Sequence, residues 1–119
     1  MSDQALLVFE KHGRIYEGRV QAASVLDALN VARFGTEALN FIKAHAGVNL
    51  LLDFTHVDYL SSAVLTELLR INEAVKAAKG TLRLCGLSPD ILKVFEITNL
   101  NKVFTLYGKR EEALTKYER

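Results

Sequence analysis

A short run of almost uninterrupted apolar residues, VNLLLDF at positions 48–54, limits the fold more than any other feature of the sequence. A strand with one solvated face alternates apolar and polar residues, whereas a run this apolar is typical of a strand covered on both faces. Such strands occur mainly in parallel sheets packed between helices. The segment therefore predicts an α/β fold in which residues 48–54 form a central strand.

The segments on either side of this run alternate between strand and helix patterns. Further strands are predicted from short apolar stretches at residues 5–11, 14–20, 81–85 and 103–107. The first two flank His12-Gly13, a dipeptide suited to a tight turn. Residues 21–26 fit either a continuation of the second strand or an irregular lead-in to a helix.

The first helix is predicted to follow Asn30, a good N-cap residue, and to stop at Gly47. The second begins near Ser61 or Ser62 and closes at Lys79-Gly80. The apolar residues at helical spacing in the first helix are Val31, Phe34, Ala38, Phe41, Ile42 and His45. The predicted core stripe of the second consists of Leu65, Leu68, Leu69, Ile71 and Val75, with Leu65 as its first buried residue.

Ser88-Pro89 predicts the start of a third helix, with serine as the N-cap and proline as the first helical residue. The apolar side of this helix is predicted to be Ile91, Leu92, Val94, Phe95 and Ile97. Residues 109–117 form a charged terminal helix. Because strands joined through helices most simply run parallel, we expect a mixed sheet of four to five strands with about four helices packed on it. Residues 1–119 are interpreted as one domain.

Composition narrows the class of protein and its location. Fifteen basic and fourteen acidic side chains leave a formal net charge of +1, without the clustered cations that nucleic-acid binding requires. The polar residues at the start argue against a signal peptide, and the absence of a long apolar run argues against membrane insertion. One cysteine, Cys85, is interpreted as a buried residue ending a strand in a reducing compartment. We therefore expect a cytoplasmic protein.

The sequence shows no arrangement of residues typical of an enzyme. His12, His45 and His56 stand apart from one another, so no metal site is predicted. No glycine-rich phosphate loop and no nucleophile elbow is present. Asp53 ends the central strand as in a phospho-accepting receiver domain, but Glu10 is the only acid near the first strand, where a receiver needs a pair. We expect a binding module without catalytic residues or cofactors.

The segment Asp58-Tyr59-Leu60-Ser61-Ser62 at the start of the second helix is the most informative for function. Serine is a preferred N-cap, and capping alone explains a serine at this place. A helix N-terminus also tolerates a phosphate, because its dipole and free N–H groups meet the negative charge. Either role is open on the spacing alone.

The order of several short motifs resembles the STAS domain, the family of bacterial anti-sigma factor antagonists. These motifs are Leu26-Asp27, the apolar strand ending at Asp53, residues 59–65, residues 81–85, Leu87-Ser88-Pro89, residues 94–100 and Val103-Phe104. The resemblance implies a partner switch, in which the antagonist binds an anti-sigma factor that is a GHKL-type serine kinase. The kinase phosphorylates a serine at the start of the second helix, and a PP2C-type phosphatase reverses it.

The usual family segment is Asp-Ser-Ser-Gly-Leu, with the phosphorylated residue after the aspartate. Aligning Tyr59-Leu60 and Leu65 with this segment makes Ser62 the implied phosphorylation site, and Ser61 the less favoured one. Ser61 then stands at the aspartate position and Val64 at the glycine position. Because they are expected near the same end of the sheet as Ser62, the residues predicted to line the implied partner-binding surface are Asp27, Asn30, Asp58, Tyr59 and Ser61.

Two other functions remain as alternatives. A STAS scaffold subunit of a larger signalling or transport assembly would use Ser62 only as a cap. A nucleotide-binding domain is the second alternative, against which stands the missing phosphate-binding glycine loop.

Overall fold

The computed structural model describes residues 7–20, 28–57 and 61–117, with the backbone alone at 28–30 and 116–117. Five strands, four α-helices and one short 3₁₀ helix are present in this part of the chain. In chain order they are β1 (Leu7–His12), β2 (Ile15–Val20), α1 (Ala28–Ala44), β3 (Asn49–Asp53), α2 (Ser62–Ala77), β4 (Thr81–Cys85), α3 (Pro89–Ile97), the 3₁₀ helix (Leu100–Lys102), β5 (Thr105–Tyr107) and α4 (Arg110–Tyr117).

The strands form one mixed sheet in the order β1-β2-β3-β4-β5. The β1–β2 pair is antiparallel, and the other three pairs are parallel. The predicted mixed sheet is confirmed, and β3 is its central strand. Because β2, β3 and β4 run in the same direction, the segments that follow them start at one edge of the sheet.

The two faces of the sheet are covered by different helices, which explains the apolar run in β3. On one face Leu50 and Leu52 are fully buried in the main core, which draws on residues of α1, α2 and α3. Leu51 points to the other face, where it packs in a smaller cluster with Ile15, Cys85 and Ala113 of α4. The predicted burial of Cys85 at a strand end is confirmed.

Two local predictions near the start of the chain were wrong. The tight turn lies at Gly13-Arg14 rather than His12-Gly13, because Gly13 takes the positive φ of 63° and His12 still pairs with Ile15. Asn30 is not the N-cap of α1, since the helix begins at Ala28. The preference of asparagine for an N-cap is local and did not decide where this helix begins. The first turn of α1 precedes the buried residues of the helix, which start at Val31.

In α2 the buried stripe is rotated relative to the prediction. Val64 is fully buried, so it precedes Leu65 as the first core residue. Leu69 was predicted to be buried, but 37% of it is exposed. The buried residues of this helix are Val64, Leu65, Leu68, Ile71, Asn72 and Val75. Helical spacing alone did not distinguish this stripe from the one that includes Leu69. The side of α2 that faces the sheet determines which of the two is buried.

The helix that follows β4 was predicted with one error. Ser88 caps α3, accepting a hydrogen bond from the Ile91 N–H at 3.2 Å, and Pro89 is the first helical residue, as predicted. Ile97, which was predicted to lie on the apolar side, is 73% exposed at the last turn. The predicted strand 103–107 is shorter and begins at Thr105, because Val103 and Phe104 donate their N–H groups to the Leu100 carbonyl and continue the turn of the 3₁₀ helix.

Candidate functional site

The start of α2 is the centre of the candidate site, and Ser61 sets its geometry. Ser61 has an extended backbone, with φ −84° and ψ 167°, and its Oγ accepts a hydrogen bond from the Val64 N–H at 3.3 Å. Its carbonyl accepts from the Leu65 N–H at 3.2 Å. Ser61 is therefore the N-cap of α2, and its side chain is engaged in holding the helix start.

Ser62 is the first residue of α2 and has a different environment. Its side chain is exposed, and among the described residues its hydroxyl has no hydrogen-bond partner. Its carbonyl accepts a hydrogen bond from Thr66 Oγ1 at 3.1 Å. The first turn of α2 carries no acidic residue, so the positive end of the helix dipole is not compensated by a side chain there. An anionic group on Ser62 would lie at this end.

The alignment that favours Ser62 used Leu65 as the first buried residue of the helix, and that premise was wrong. Val64 is fully buried, while 9% of Leu65 is exposed. Val64, which that alignment places at the family's glycine position, is therefore part of the core and does not project into the surface around Ser62.

The remaining residues of the implied partner surface are only partly visible. Asp27, Asp58 and Tyr59 lie outside the described residues, and Asn30 is described by its backbone alone, in the first turn of α1. Ser61 and Ser62 follow β3 at the carboxyl edge of the sheet. The structure thus brings the two serines together and leaves the other positions as predictions.

The start of the connection between β3 and α2 is held by a cluster around Asp53. This side chain is 4% exposed, and its Oδ1 accepts a hydrogen bond from the Thr55 N–H at 2.9 Å. Gly86, with φ 72°, packs against the cluster, and a Cβ there would lie 2.5 Å from Asp53 Oδ1. Asp53 thus holds the first residues after β3, a structural role in place of the receiver-like role considered for it.

Sequence reasoning missed a polar cluster around Glu17. Glu17 is fully buried, and its carboxylate accepts hydrogen bonds from Arg110 Nε and from His12 Nε2, the latter at 2.9 Å. Burial by itself would raise the pKa of Glu17, but the bonds from Arg110 and His12 outweigh it and hold the pKa below its ordinary value. Arg110 lies 93 residues away, so no local pattern revealed this pair.

One group of potential metal ligands was found within the described ranges, and it overlaps this cluster. The group consists of Glu10, His12 and Glu17. Both oxygens of Glu17 already accept hydrogen bonds, one from His12 and one from Arg110. Because the buried carboxylate is neutralised by the guanidinium, the arrangement is that of an ion-pair cluster rather than a metal centre.

A polar cleft of about 440 Å³ lies beside this cluster, between the start of α4 and the carboxyl ends of the neighbouring strands. Its lining residues are Arg19, Asp53, Thr55, His56, Gly86, Gly108, Lys109, Arg110 and Glu111. Three cationic side chains, Arg19, Lys109 and Arg110, and two acidic ones, Asp53 and Glu111, are among them, and the guanidinium of Arg110 is paired with Glu17.

Residues 7–113 match the sequence profile of the STAS domain, a stretch that includes every described strand and both serines. The chain belongs to the STAS domain family. The resemblance inferred from the motifs is thereby confirmed, and so is the fold that it implied.

Relatives of this STAS domain include named anti-sigma factor antagonists. Over 69 residues it is 33% identical to BtrV of Bordetella bronchiseptica, which carries the name of an anti-sigma factor antagonist. The matched stretch covers 58% of this chain and 60% of BtrV, so the chain matches less than two thirds of its relative.

Solved structures share the fold of this STAS domain. A STAS domain protein from Planctomyces limnophilus superposes with a TM-score of 0.85 at 20% identity, over 95% of this chain and 98% of that one. The phosphorylated form of SpoIIAA, a Bacillus cell fate determinant, gives a TM-score of 0.69 at 21% identity, over 92% and 97% of the two chains. At these identities the likeness establishes the fold.

In the described part of the chain, no helix is both long and apolar enough to cross a lipid bilayer.

Proposed function

We propose that this STAS domain is an anti-sigma factor antagonist in a bacterial partner-switching system that regulates transcription. With Ser62 unmodified, it binds an anti-sigma factor that is a GHKL-type serine kinase, and so frees the sigma factor. The kinase phosphorylates Ser62, and a PP2C-type phosphatase removes the phosphate. The protein is a binding partner and a substrate in the cytoplasm, without catalysis of its own.

The observation that carries this proposal is the unequal environment of the two serines. Ser61 Oγ is engaged as the cap of α2, whereas the hydroxyl of Ser62 is exposed and has no partner among the described residues. A kinase needs an accessible hydroxyl, and Ser62 offers it without removal of the cap. This difference favours Ser62 over Ser61 independently of any alignment.

A phosphate on Ser62 would change the surface while leaving the fold intact. At the first position of a helix, a phosphate gains from the dipole and the free N–H groups. A partner packed against this end of the sheet would instead have to bury about two negative charges. Unpaired buried charge is costly, so we expect modification to abolish binding rather than folding.

The partner surface proposed around Ser62 includes Asp27, Asn30, Asp58, Tyr59 and Ser61. The support for this set is that Ser61 adjoins Ser62 in the structure and that the β3–α2 connection, which contains Asp58 and Tyr59, ends at the same helix start. The departures at Ser61 and Val64 from the usual family segment set this chain apart from relatives with an aspartate before the phosphorylated serine. We propose that its kinase recognises the Ser61-Ser62 pair.

Phosphopeptide mapping after incubation with the cognate kinase and ATP tests the site. We expect label on Ser62, loss of label in Ser62→Ala, and retained label in Ser61→Ala. Label on Ser61 would move the site by one residue. Absence of label on either serine would contradict the switch and favour the scaffold subunit.

A binding measurement with the same kinase tests the consequence. Ser62→Asp should weaken the complex at least about tenfold, or about 1.4 kcal/mol, while its circular dichroism and melting temperature stay close to wild type. Ser62→Ala should bind as wild type. If mapping places the label on Ser62 of the wild-type protein but Ser62→Asp binds the kinase normally, phosphorylation of Ser62 does not control binding.

A further inference from the structure

The helix α4 is attached to the sheet differently from the helices on the opposite face. Its eight residues lie over the smaller apolar cluster, to which it contributes the buried Ala113 and the partly buried Leu114. A helix of this length is not stable alone in water, so its conformation depends on its contact with the sheet. The apolar part of that contact is small.

The second part of the attachment is the ion pair between Arg110 and Glu17. Glu17 is fully buried, while the side chain of Arg110 is 29% exposed. His12 is the other described partner of the Glu17 carboxylate, at 2.9 Å. Because Arg110 belongs to α4, the guanidinium faces Glu17 only while α4 is docked. Loss of the guanidinium with α4 still docked would leave a buried carboxylate without its cation, which is strongly unfavourable.

The connection to α4 is suited to a hinge. Gly108 and Lys109 are exposed and join the end of β5 to the first residue of α4. A Cβ at Gly108 would have no neighbour within 4 Å, so packing does not fix this residue. The polar cleft of about 440 Å³ runs along the start of α4, lined by Arg19 and His56 among others. Solvent therefore already reaches one side of the helix start.

We propose that α4 is a releasable cover that swings about Gly108-Lys109, with the Arg110–Glu17 pair as its latch, while the rest of the sheet stays folded. Opening uncovers a surface formed by Glu17, Asp53 and Cys85 and frees the guanidinium of Arg110. The device lies on the face opposite α2, and it does not depend on the proposed role of Ser62.

Cys85 provides a built-in reporter of this motion. It is the single cysteine of the chain and is fully buried in the cluster that α4 covers. Burial, together with the nearby carboxylates of Asp53 and Glu17, raises the pKa of the Cys85 thiol well above its ordinary value. Since the thiolate is the reactive form, a thiol reagent labels Cys85 only after the cover opens.

The experiment measures the rate at which Ellman's reagent in excess labels Cys85 in the full chain. Arg110→Met keeps the aliphatic length and removes the latch, and we expect it to label at least about tenfold faster than wild type. Arg70→Met is the matched control, because it removes an arginine from an exposed pair with Glu67, 3.2 Å apart on α2. It should label within about twofold of wild type. Equal rates in the two variants would overturn the latch.

A double variant, Glu17→Gln with Arg110→Met, separates the latch from a simple loss of packing. Without a buried carboxylate the docked state no longer carries an unpaired charge, so labelling should return toward the wild-type rate. Labelling as fast as in Arg110→Met alone would show that the charge of Glu17 is not what opens α4, and would overturn the proposal.

The urea dependence of labelling separates local opening from global unfolding. Local opening exposes little surface, so the labelling rate of Arg110→Met at low urea should depend on urea much less than global unfolding followed by circular dichroism. The same dependence for both processes would mean that Cys85 is reached only through global unfolding, and the proposed cover would be wrong.

Discussion

Ser61 and Ser62 are chemically identical neighbours, but the backbone gives their hydroxyl groups different environments. Ser61 lies one residue before the helix with an extended backbone, and its Oγ reaches the Val64 N–H. Ser62 is already helical, and its side chain points to solvent. At the scale of single residues, a shift of one position along the chain decides which serine caps the helix and which has an exposed hydroxyl.

This difference predicts unequal stability effects of two matched substitutions. Ser61→Ala removes the cap of α2 and should lower the free energy of unfolding by about 1 kcal/mol, as N-cap substitutions usually do. Ser62→Ala removes an exposed hydroxyl without a partner among the described residues and should change it by no more than about 0.5 kcal/mol. Urea denaturation of the two variants beside wild type measures both effects. A larger loss in Ser62→Ala would contradict the assignment of the cap.

At the scale of elements, α2 connects the candidate site to the core. Val64 and Leu68 are fully buried against the sheet, and they lie on the side of the helix away from Ser62. Leu69 is half-exposed on the outer side. The position of Ser62 is therefore fixed by buried apolar residues within the next two turns of the same helix.

Two adjacent leucines of α2 test which side faces the core. Leu68→Ala should lower the free energy of unfolding by about 2–5 kcal/mol, because it removes a fully buried side chain and leaves a cavity. Leu69→Ala should cost less than about 1 kcal/mol, since 37% of this residue is already exposed. Similar losses in the two variants, measured by urea denaturation, would mean that the helix is rotated from the orientation described.

At the scale of the whole molecule, the ion pair between Glu17 and Arg110 joins the first sheet strands to the last helix. It closes a loop of 93 residues that contains β3, β4 and the whole of α2. The pair ties together the two ends of the described chain on the face opposite the candidate site. Its contribution to stability depends on pH through the carboxylate.

The lowered pKa of Glu17 sets the sign of this dependence. Its pKa is below the ordinary 4.5 in the folded state, so Glu17 contributes stability that is fully present above about pH 4.5. That contribution is lost as the pH falls below 4.5 toward the folded-state pKa, because the unfolded chain then binds the proton more readily. We expect the free energy of unfolding of Glu17→Gln to fall less steeply below pH 4.5 than that of wild type.

Glu73→Gln, at an exposed position of α2, is the control for this measurement. Urea denaturation between pH 3 and pH 6 should give it the same pH dependence as wild type, whereas Glu17→Gln should differ. If Glu17→Gln followed the wild-type curve, the Arg110–Glu17 pair would not be a source of acid sensitivity.

Several features of the fold were determined by sequence alone because they depend on neighbours within a few residues. The apolar run at residues 48–54 predicted the central strand, since few folds other than a covered parallel sheet accommodate it. Ser88-Pro89 predicted the start of α3 to the residue, because capping is local. The paired serines marked the start of α2 for the same reason.

Only the tertiary structure decided which side of each helix is covered and which charge is buried. The sequence allowed Leu69 in the core, and the docking of α2 on the sheet selected Val64 instead. The contact between Glu17 and Arg110 joins residues far apart in sequence, which no periodicity records. The physical reason is that burial and charge pairing are set by surfaces brought together by the whole fold, whereas spacing and capping are set by the backbone nearby.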